Sequence, residues 1–151
     1  MSSNGLDDTD KAIIRELQVD GRMAHAQLAG RIGLSQAATR QRVKRLIDTG
    51  VMEVVAVTDP TALGAGVQAM LSITVDQDAR AIADQISRFP EVDYLVLTSG
   101  RVDVLCEVVC ADSDHLLELV NGRLRGVVGV RTVEVSTYLK LFKQTYSWGT
   151  G

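Results

Sequence analysis

Between Ser35 and Arg45 the run SQAATRQRVKR places Arg40, Gln41, Arg42, Lys44 and Arg45 just behind Ser35, Gln36 and Ala37. Arg, Lys and Gln donate hydrogen bonds to phosphate oxygens and base edges, and small residues let a backbone approach a groove closely. From Arg31 to Arg45 there are five basic residues and no acidic one. The chemistry open to this stretch is recognition of a polyanion. Ser35, Gln36, Ala37, Arg40 and Gln41 are the residues expected at base edges, with Arg42, Lys44 and Arg45 on phosphates. The plain alternative is a solvated amphipathic helix, which the stretch alone allows equally well.

Bond-making chemistry finds no such cluster. Cys106 and Cys110 fall on one face of an expected strand with no histidine near them, which reads as small buried hydrophobes and not as a metal pair. His25 and His115 lie far apart, each near a helix start, with no nucleophile or second ligand at motif spacing. Gly64, Gly66 and Ala69 match a GxGxxA phosphate-binding turn, but that fingerprint needs a helix directly after the glycines. Val67 to Val75 alternates like a strand instead. No catalytic residue, metal or cofactor is expected.

The elements that hold the basic stretch can be read from caps and periodicity. Ser35 stands where its hydroxyl can accept from a first-turn N–H, and Gly50 can close the helix in the left-handed conformation. Between them Thr39, Val43, Leu46 and Ile47 repeat as one buried face. Asp7 caps a first helix over about 8–19, with Asp10 completing a carboxylate capping box and Ile13, Ile14 and Leu17 inward. A second helix over about 25–32 buries Leu28, Ala29 and Ile32, and Gly33 permits a sharp turn into the third. Three helices with a tight glycine turn before the last make a helix-turn-helix, whose final helix enters the major groove. This context favours the DNA reading over the solvated face.

After Gly50, Val51 to Val57 is a β-branched run, either the wing of a winged helix or a connecting strand, and 59–66 reads as linker. The second half then follows β-α-β-β-α-β. Strands are expected over 67–75, 92–98, 102–110 and 130–142. One helix spans about 78–89, with Ala79, Ile82, Ala83, Ile86 and Phe89 inward and Pro90 as its stop. The other starts at Asp112 or Ser113 and runs to about Leu124, with Leu116, Leu117 and Val120 inward. The fold class is α+β, a helix-turn-helix domain (1–50), a strand-like linker (51–66) and a ferredoxin-like domain (67–151). Leu95, Leu97, Val109, Val133, Val135 and Leu139 point to strands that are apolar on both sides, which predicts association with a second copy.

Charge agrees with this division of labour. The chain has 151 residues and a formal net charge of −3. Residues 1–60 hold eight Lys/Arg and eight Asp/Glu, against eight and eleven in 61–151. The acidic excess belongs to the second half, so only the first is expected to touch DNA. No apolar run nears the roughly 20 residues of a membrane span, and MSSNGLDD lacks a signal-peptide layout. A cytoplasmic protein is expected.

The order of these segments resembles the leucine-responsive/asparagine-operon (Lrp/AsnC, feast/famine) regulators. The matching pieces are LDDTDKAIIRELQVDGR, QLAGRIGLS, Arg42-Val43 followed by RLIDTGV, Leu63-Gly64, and SGRVD from Ser99 to Asp103. The resemblance implies a sequence-specific transcriptional regulator of amino-acid or nitrogen metabolism that binds double-stranded DNA. It also implies a homodimer built through the C-terminal sheets, assembling to a tetramer or octamer, with a small effector, usually an amino acid, bound between subunits. The family's G-x-x-D loop falls here on Gly100 and Asp103, flanked by Thr98 and Ser99, with Thr137 and Leu139 offered by a neighbouring subunit. Glycine permits close approach of a ligand, and Asp103 could accept from an α-ammonium group. Read without the family, Gly100 is a turn residue and Asp103 a solvated edge charge. Three features depart from the family pattern: Ala24 and Gln27 replace a capping box, Val54-Val55 replaces a Gly-aromatic pair, and Val102 replaces an aromatic beside the effector loop. An effector-independent architectural DNA binder fits the same motifs, and an enzyme on the ferredoxin-like half lacks any catalytic constellation.

Overall fold

A computed structural model of the chain describes residues 5–58, 61–64 and 66–145, and it falls into two compact units, one through Val57 and one from Thr58 to Phe142. The first is built on α1 (Asp8–Val19), α2 (His25–Ile32) and α3 (Gln36–Asp48). Asp7 opens α1 with a full capping box: its carboxylate accepts from Asp10 N at 2.8 Å, and the Asp10 carboxylate accepts from Asp7 N at 3.3 Å. Ala24 starts α2 without any side-chain cap. Gly33 (φ 71°) ends α2 in the left-handed region and makes the turn. The Ser35 hydroxyl accepts from Ala38 N at 3.2 Å to open α3, and Gly50 (φ 69°) closes it. Ile13, Met23, Leu28, Val43 and Leu46 form the buried core of this unit.

Two details differ from the sequence expectation. Ile47 is 41% exposed, because a straight helix drifts off a fixed stripe over two turns and the eighth residue reaches the rim. Thr39 is fully buried on the apolar face as expected, its hydroxyl donating to the Ser35 carbonyl at 3.0 Å. Val51–Val57 forms no strand and pairs with none among the described residues. β-branched residues set the backbone preference, whereas a strand needs a neighbour to take its N–H groups.

The second unit is a four-stranded antiparallel sheet in the order β2-β3-β1-β4, with β1 (Val67–Val75), β2 (Val92–Leu97), β3 (Val104–Cys110) and β4 (Val130–Thr137). Its helices are α4 (Ala79–Ile86), capped by Asp78, and α5 (Ser113–Glu118), capped by Asp112. The helix expected to run to Leu124 changes pitch: residues Leu119–Arg123 form a π turn and Leu124–Gly126 a 3-10 turn. Leu119 and Leu124 are thereby both fully buried, while Leu117, expected inward, is 59% exposed. Ala69, Leu71 and Ile73 of β1 and Val104, Cys106 and Val108 of β3 pack with Ile82, Ile86 and Leu119 in one core.

The helix-free face differs in its membership from the sequence reading. Cross-strand register pairs Leu95 and Leu97 with Cys106 and Val104, and Val133 and Val135 with Ile73 and Leu71, so all four lie on the helix side. Leu139 falls past the end of β4, which stops at Thr137 and not at Phe142. Of the six residues expected there, Val109 alone is on the open face. Met70, Val96 and Leu105 join it, half-buried, beside Gln68, Ser72, Thr74 and Glu107. The face is partly apolar as expected, but a one-residue difference in register moves each edge-strand side chain to the other side.

Candidate functional site

Helix α3 presents Gln36, Ala37, Arg40, Gln41 and Lys44 to solvent, with Ser35 exposed at its start. Gln36, Ala37 and Arg40 line a shallow depression at the N-terminal end of this surface. Arg40 has no ion-pair partner among the described residues. Lys44 reaches Asp48 one turn on at 2.5 Å, a pair whose side chains are 72% and 56% exposed, so water and salt weaken it and a phosphate can displace it.

Arg42 and Arg45 have a different environment. The Asp10 carboxylate is 1% exposed and accepts from Arg42 Nη1 at 2.8 Å and from Arg45 Nη2 at 2.7 and 2.6 Å. Arg42 Nη1 also donates to Asp7 at 2.7 Å. Burial pushes the Asp10 carboxyl up, but the two guanidinium groups and the Asp7 N–H together hold it below its ordinary 3.8. Asp7 is lowered too, first by the Asp10 N–H and then by Arg42. Both arginines expected on phosphates already have a carboxylate inside the domain. Asp10 was legible in the sequence only as a capping residue. Its partners lie 32 and 35 positions away, where no local pattern reports them.

In the second unit the loop between β2 and β3 holds Thr98, Ser99, Gly100 and Asp103 together. Thr98 N donates to the Asp103 carbonyl at 2.9 Å, Thr98 Oγ1 to the Val102 carbonyl at 2.5 Å, and Asp103 N to the Ile73 carbonyl at 3.0 Å. The Asp103 carboxylate accepts from Val75 N at 2.8 Å, where the β1–β4 register shifts between Thr74 and Val75. It supplies an acceptor on the β3 side of β1, just past the last ladder pair of Ile73 with Val104. Asp103 is therefore neither a freely solvated edge charge nor an idle one: one oxygen is fixed to the sheet. Gly100 takes no left-handed φ, and an added Cβ would meet nothing within 4 Å. The turn does not require glycine. Among the described residues, the N–H groups of Ser99, Gly100 and Arg101 have no backbone acceptor. Thr137 pairs with Ala69, four residues along β1 from Ile73 and hence about 13 Å from the loop. Leu139 is 98% exposed. Within one chain, neither joins the loop.

A second titratable cluster was not read from the sequence. Glu91 is buried; its Oε1 accepts from Arg123 at 2.6 Å and from His115 Nε2 at 3.0 Å, while Oε2 has no partner among the described residues. His115 Nδ1 accepts from Ala111 N at 3.3 Å, so the Nε2 nitrogen carries the proton. Arg123 also stacks 4.3 Å from the Phe89 ring centroid. Burial pushes Glu91 up, but its own backbone N–H, His115 and Arg123 hold it below the usual range. The π turn delivers Arg123 to this carboxylate and so pins α5 to the chain end of α4. Burial raises the Cys106 thiol to about 12 and raises Cys110 as well, which keeps both as neutral core residues. Among the described residues no group of three His, Cys, Asp or Glu side chains could hold a metal ion, and no helix is long and apolar enough to cross a membrane.

Comparison with known proteins joins the two halves. Residues 6–47 match the model of the AsnC-type helix-turn-helix domain, and residues 67–151 match a C-terminal dimeric alpha+beta barrel domain of AsnC-type regulators. The chain belongs to the Lrp/AsnC family of transcriptional regulators. It is 33% identical over 145 residues to the HTH-type regulator FL11 of Pyrococcus furiosus, covering 93% of each chain. It is 28% identical to the transcriptional regulator AzlB of Bacillus subtilis, covering 94% of each. Among solved structures, a Neisseria meningitidis regulator in complex with L-Met superposes with a TM-score of 0.84 at 30% identity, over 95% of this chain and 96% of that one. The leucine response regulatory protein of Mycobacterium tuberculosis gives 0.79 at 32%, over 95% and 99%. This family member is a DNA-binding transcriptional regulator and not an enzyme, and α3 is the recognition helix of its helix-turn-helix.

Proposed function

We propose that this regulator senses an amino acid at the β2–β3 loop and transmits its binding to the affinity of α3 for DNA. The observation that carries the reading is the loop itself: Asp103 is tied to β1 through one carboxylate oxygen, beside a Gly100 that the turn does not need and three unpaired N–H groups. A fixed carboxylate suits an α-ammonium group, and unpaired N–H groups suit a carboxylate. The N. meningitidis relative solved with L-Met supports the same ligand class. Thr98, Ser99, Gly100 and Asp103 form one side of this site. Thr137 and Leu139, toward the far end of β4 from the loop within one chain, contribute from a neighbouring subunit. Val102, beside this loop, sets the size of the side chain accommodated.

The regulator acts as a homodimer closed through the half-buried open face of the sheet, with dimers assembling further around the effector. Two recognition helices then meet successive major grooves about 34 Å apart on a roughly palindromic site. Ser35, Gln36, Ala37, Arg40 and Gln41 read bases, and Lys44 contacts phosphate. The targets are genes of amino-acid or nitrogen metabolism in the cytoplasm. Fluorescence anisotropy on a duplex selected from a randomised library, repeated with each amino acid, tests this. At least one amino acid should shift the DNA dissociation constant by about 5-fold or more. Binding to DNA that ignores all of them would favour an effector-independent, architectural role.

A further inference from the structure

Arg42 and Arg45 lie on one flank of α3, away from the centre of the exposed face that carries Gln36, Arg40 and Lys44. With about 100° between successive residues, positions 36, 40 and 44 fall within one quadrant, while 45 and 42 follow beyond it toward the core. Both guanidinium groups converge on Asp10, which is 1% exposed and accepts from each of them and from the Asp7 N–H. A buried carboxylate with every acceptor position in use fixes two rotamers on the helix that must fit a groove. Together with Asp7, which also pairs with Arg42, it offsets two of the five positive charges between Arg31 and Arg45, leaving fewer free cations to bind DNA of any sequence.

We infer that Asp10 is a positioning residue for DNA recognition: it sets the rotation of α3 and withholds Arg42 and Arg45 from phosphates. Specificity follows from both effects. Indiscriminate affinity grows with each phosphate neutralised, whereas base readout depends on how Arg40 and Gln41 are aimed. Asp7 assists, because it shares Arg42 at 2.7 Å and closes the capping box that holds Asp10 in place. The carboxylate thus raises the ratio of specific to random binding without touching DNA.

The test compares wild type and Asp10→Asn, each shown to be folded by far-UV circular dichroism at the assay temperature, on a random-sequence 30-bp duplex and on one selected by the wild type. Binding is followed across salt concentration. Freeing Arg45, with Arg42 still held by Asp7, should steepen the slope of log K against log salt on random DNA by about 1. The ratio of selected to random affinity should fall by about tenfold. Adding Arg42→Gln and Arg45→Gln to the variant should return the slope to the wild-type value, a rescue that a purely structural role for Asp10 does not predict. Asp7→Ser is the milder second variant: serine keeps an N-cap acceptor for Asp10 N but removes the charge from Arg42, and the slope should steepen by up to about 1. An unchanged slope and an unchanged ratio in either folded variant overturn the inference, while the wild type's own DNA binding keeps the family reading intact.

Discussion

Arg40 and Lys44 sit one turn apart on the exposed side of α3, and the proposed function gives them different work. Arg40 has no ion-pair partner among the described residues, and its forked guanidinium can engage a guanine edge bidentately. Lys44, held loosely by Asp48 at 2.5 Å, offers a point charge. Arg40→Ala should therefore relax base preference with little change in salt dependence. Lys44→Ala should weaken all sequences alike and flatten the log–log salt slope by about 0.9. Anisotropy titrations on selected and random duplexes separate the two, and equal losses on both DNAs for both variants would contradict the assignment. At the β2–β3 loop, Asp103 holds Val75 N and has a proposed second task in effector binding, and one substitution can split the two. Asparagine keeps an oxygen for Val75 N, so Asp103→Asn should cost well under the roughly 1–3 kcal/mol of a buried orphaned donor, whereas Asp103→Ala incurs it. The charge seen by an α-ammonium group is gone in both. The sequence revealed Asp103 as a candidate ligand but concealed its structural bond, because the Val75 N–H it satisfies lies 28 positions earlier, just past the end of the β1–β3 ladder.

Caps and buried stripes were legible at the level of elements because they are local. Asp7, Ser35, Gly33 and Gly50 act where their chemistry places them. What sequence could not show was interaction between elements and irregular pitch: the Asp10 pairs, the π turn that exposes Leu117, and the end of β4 at Thr137. Ala24 stands out as a helix start without a cap, with β-region backbone suited to one. Ala24→Ser should stabilise the first unit by about 1 kcal/mol, read as a raised midpoint in urea unfolding. The α1–α3 junction should respond to acid. The Asp10 carboxyl is lowered below 3.8 in the folded state, so the stability it adds is complete above about pH 4 and is lost as pH falls through the folded-state value. Asp10→Asn should be less stable near neutral pH by about 2 kcal/mol, less than the usual 3–5 for breaking a buried pair because water still reaches both arginines. Its stability should then vary less between neutral pH and about pH 3 than the wild type's. Parallel curves for the two proteins would contradict this origin of acid sensitivity.

For the whole molecule, alternating strands and two amphipathic helices were enough to read a ferredoxin-like half, and a glycine turn between short helices was enough to read a helix-turn-helix. The residues of the open sheet face were not readable in the same way, since face membership depends on register between strands far apart in sequence. Met70 and Leu105, now placed beside Val96 and Val109 on that face, are the positions through which a second copy should close. Leu105→Lys should leave the monomer folded and shift its sedimentation to a smaller species, and an unaltered oligomer would move the interface elsewhere. In the proposed function this assembly is coupled to an amino acid bound at the β2–β3 loop. The most direct measurement is a thermal-shift screen of the wild type and Asp103→Asn against each amino acid. A ligand at 100 times its dissociation constant stabilises the native state by about 2.7 kcal/mol. One amino acid, or a small group of them, should raise the melting temperature of the wild type and leave that of Asp103→Asn unmoved. A ligand that stabilises both proteins equally, or none that stabilises the wild type, would contradict the account.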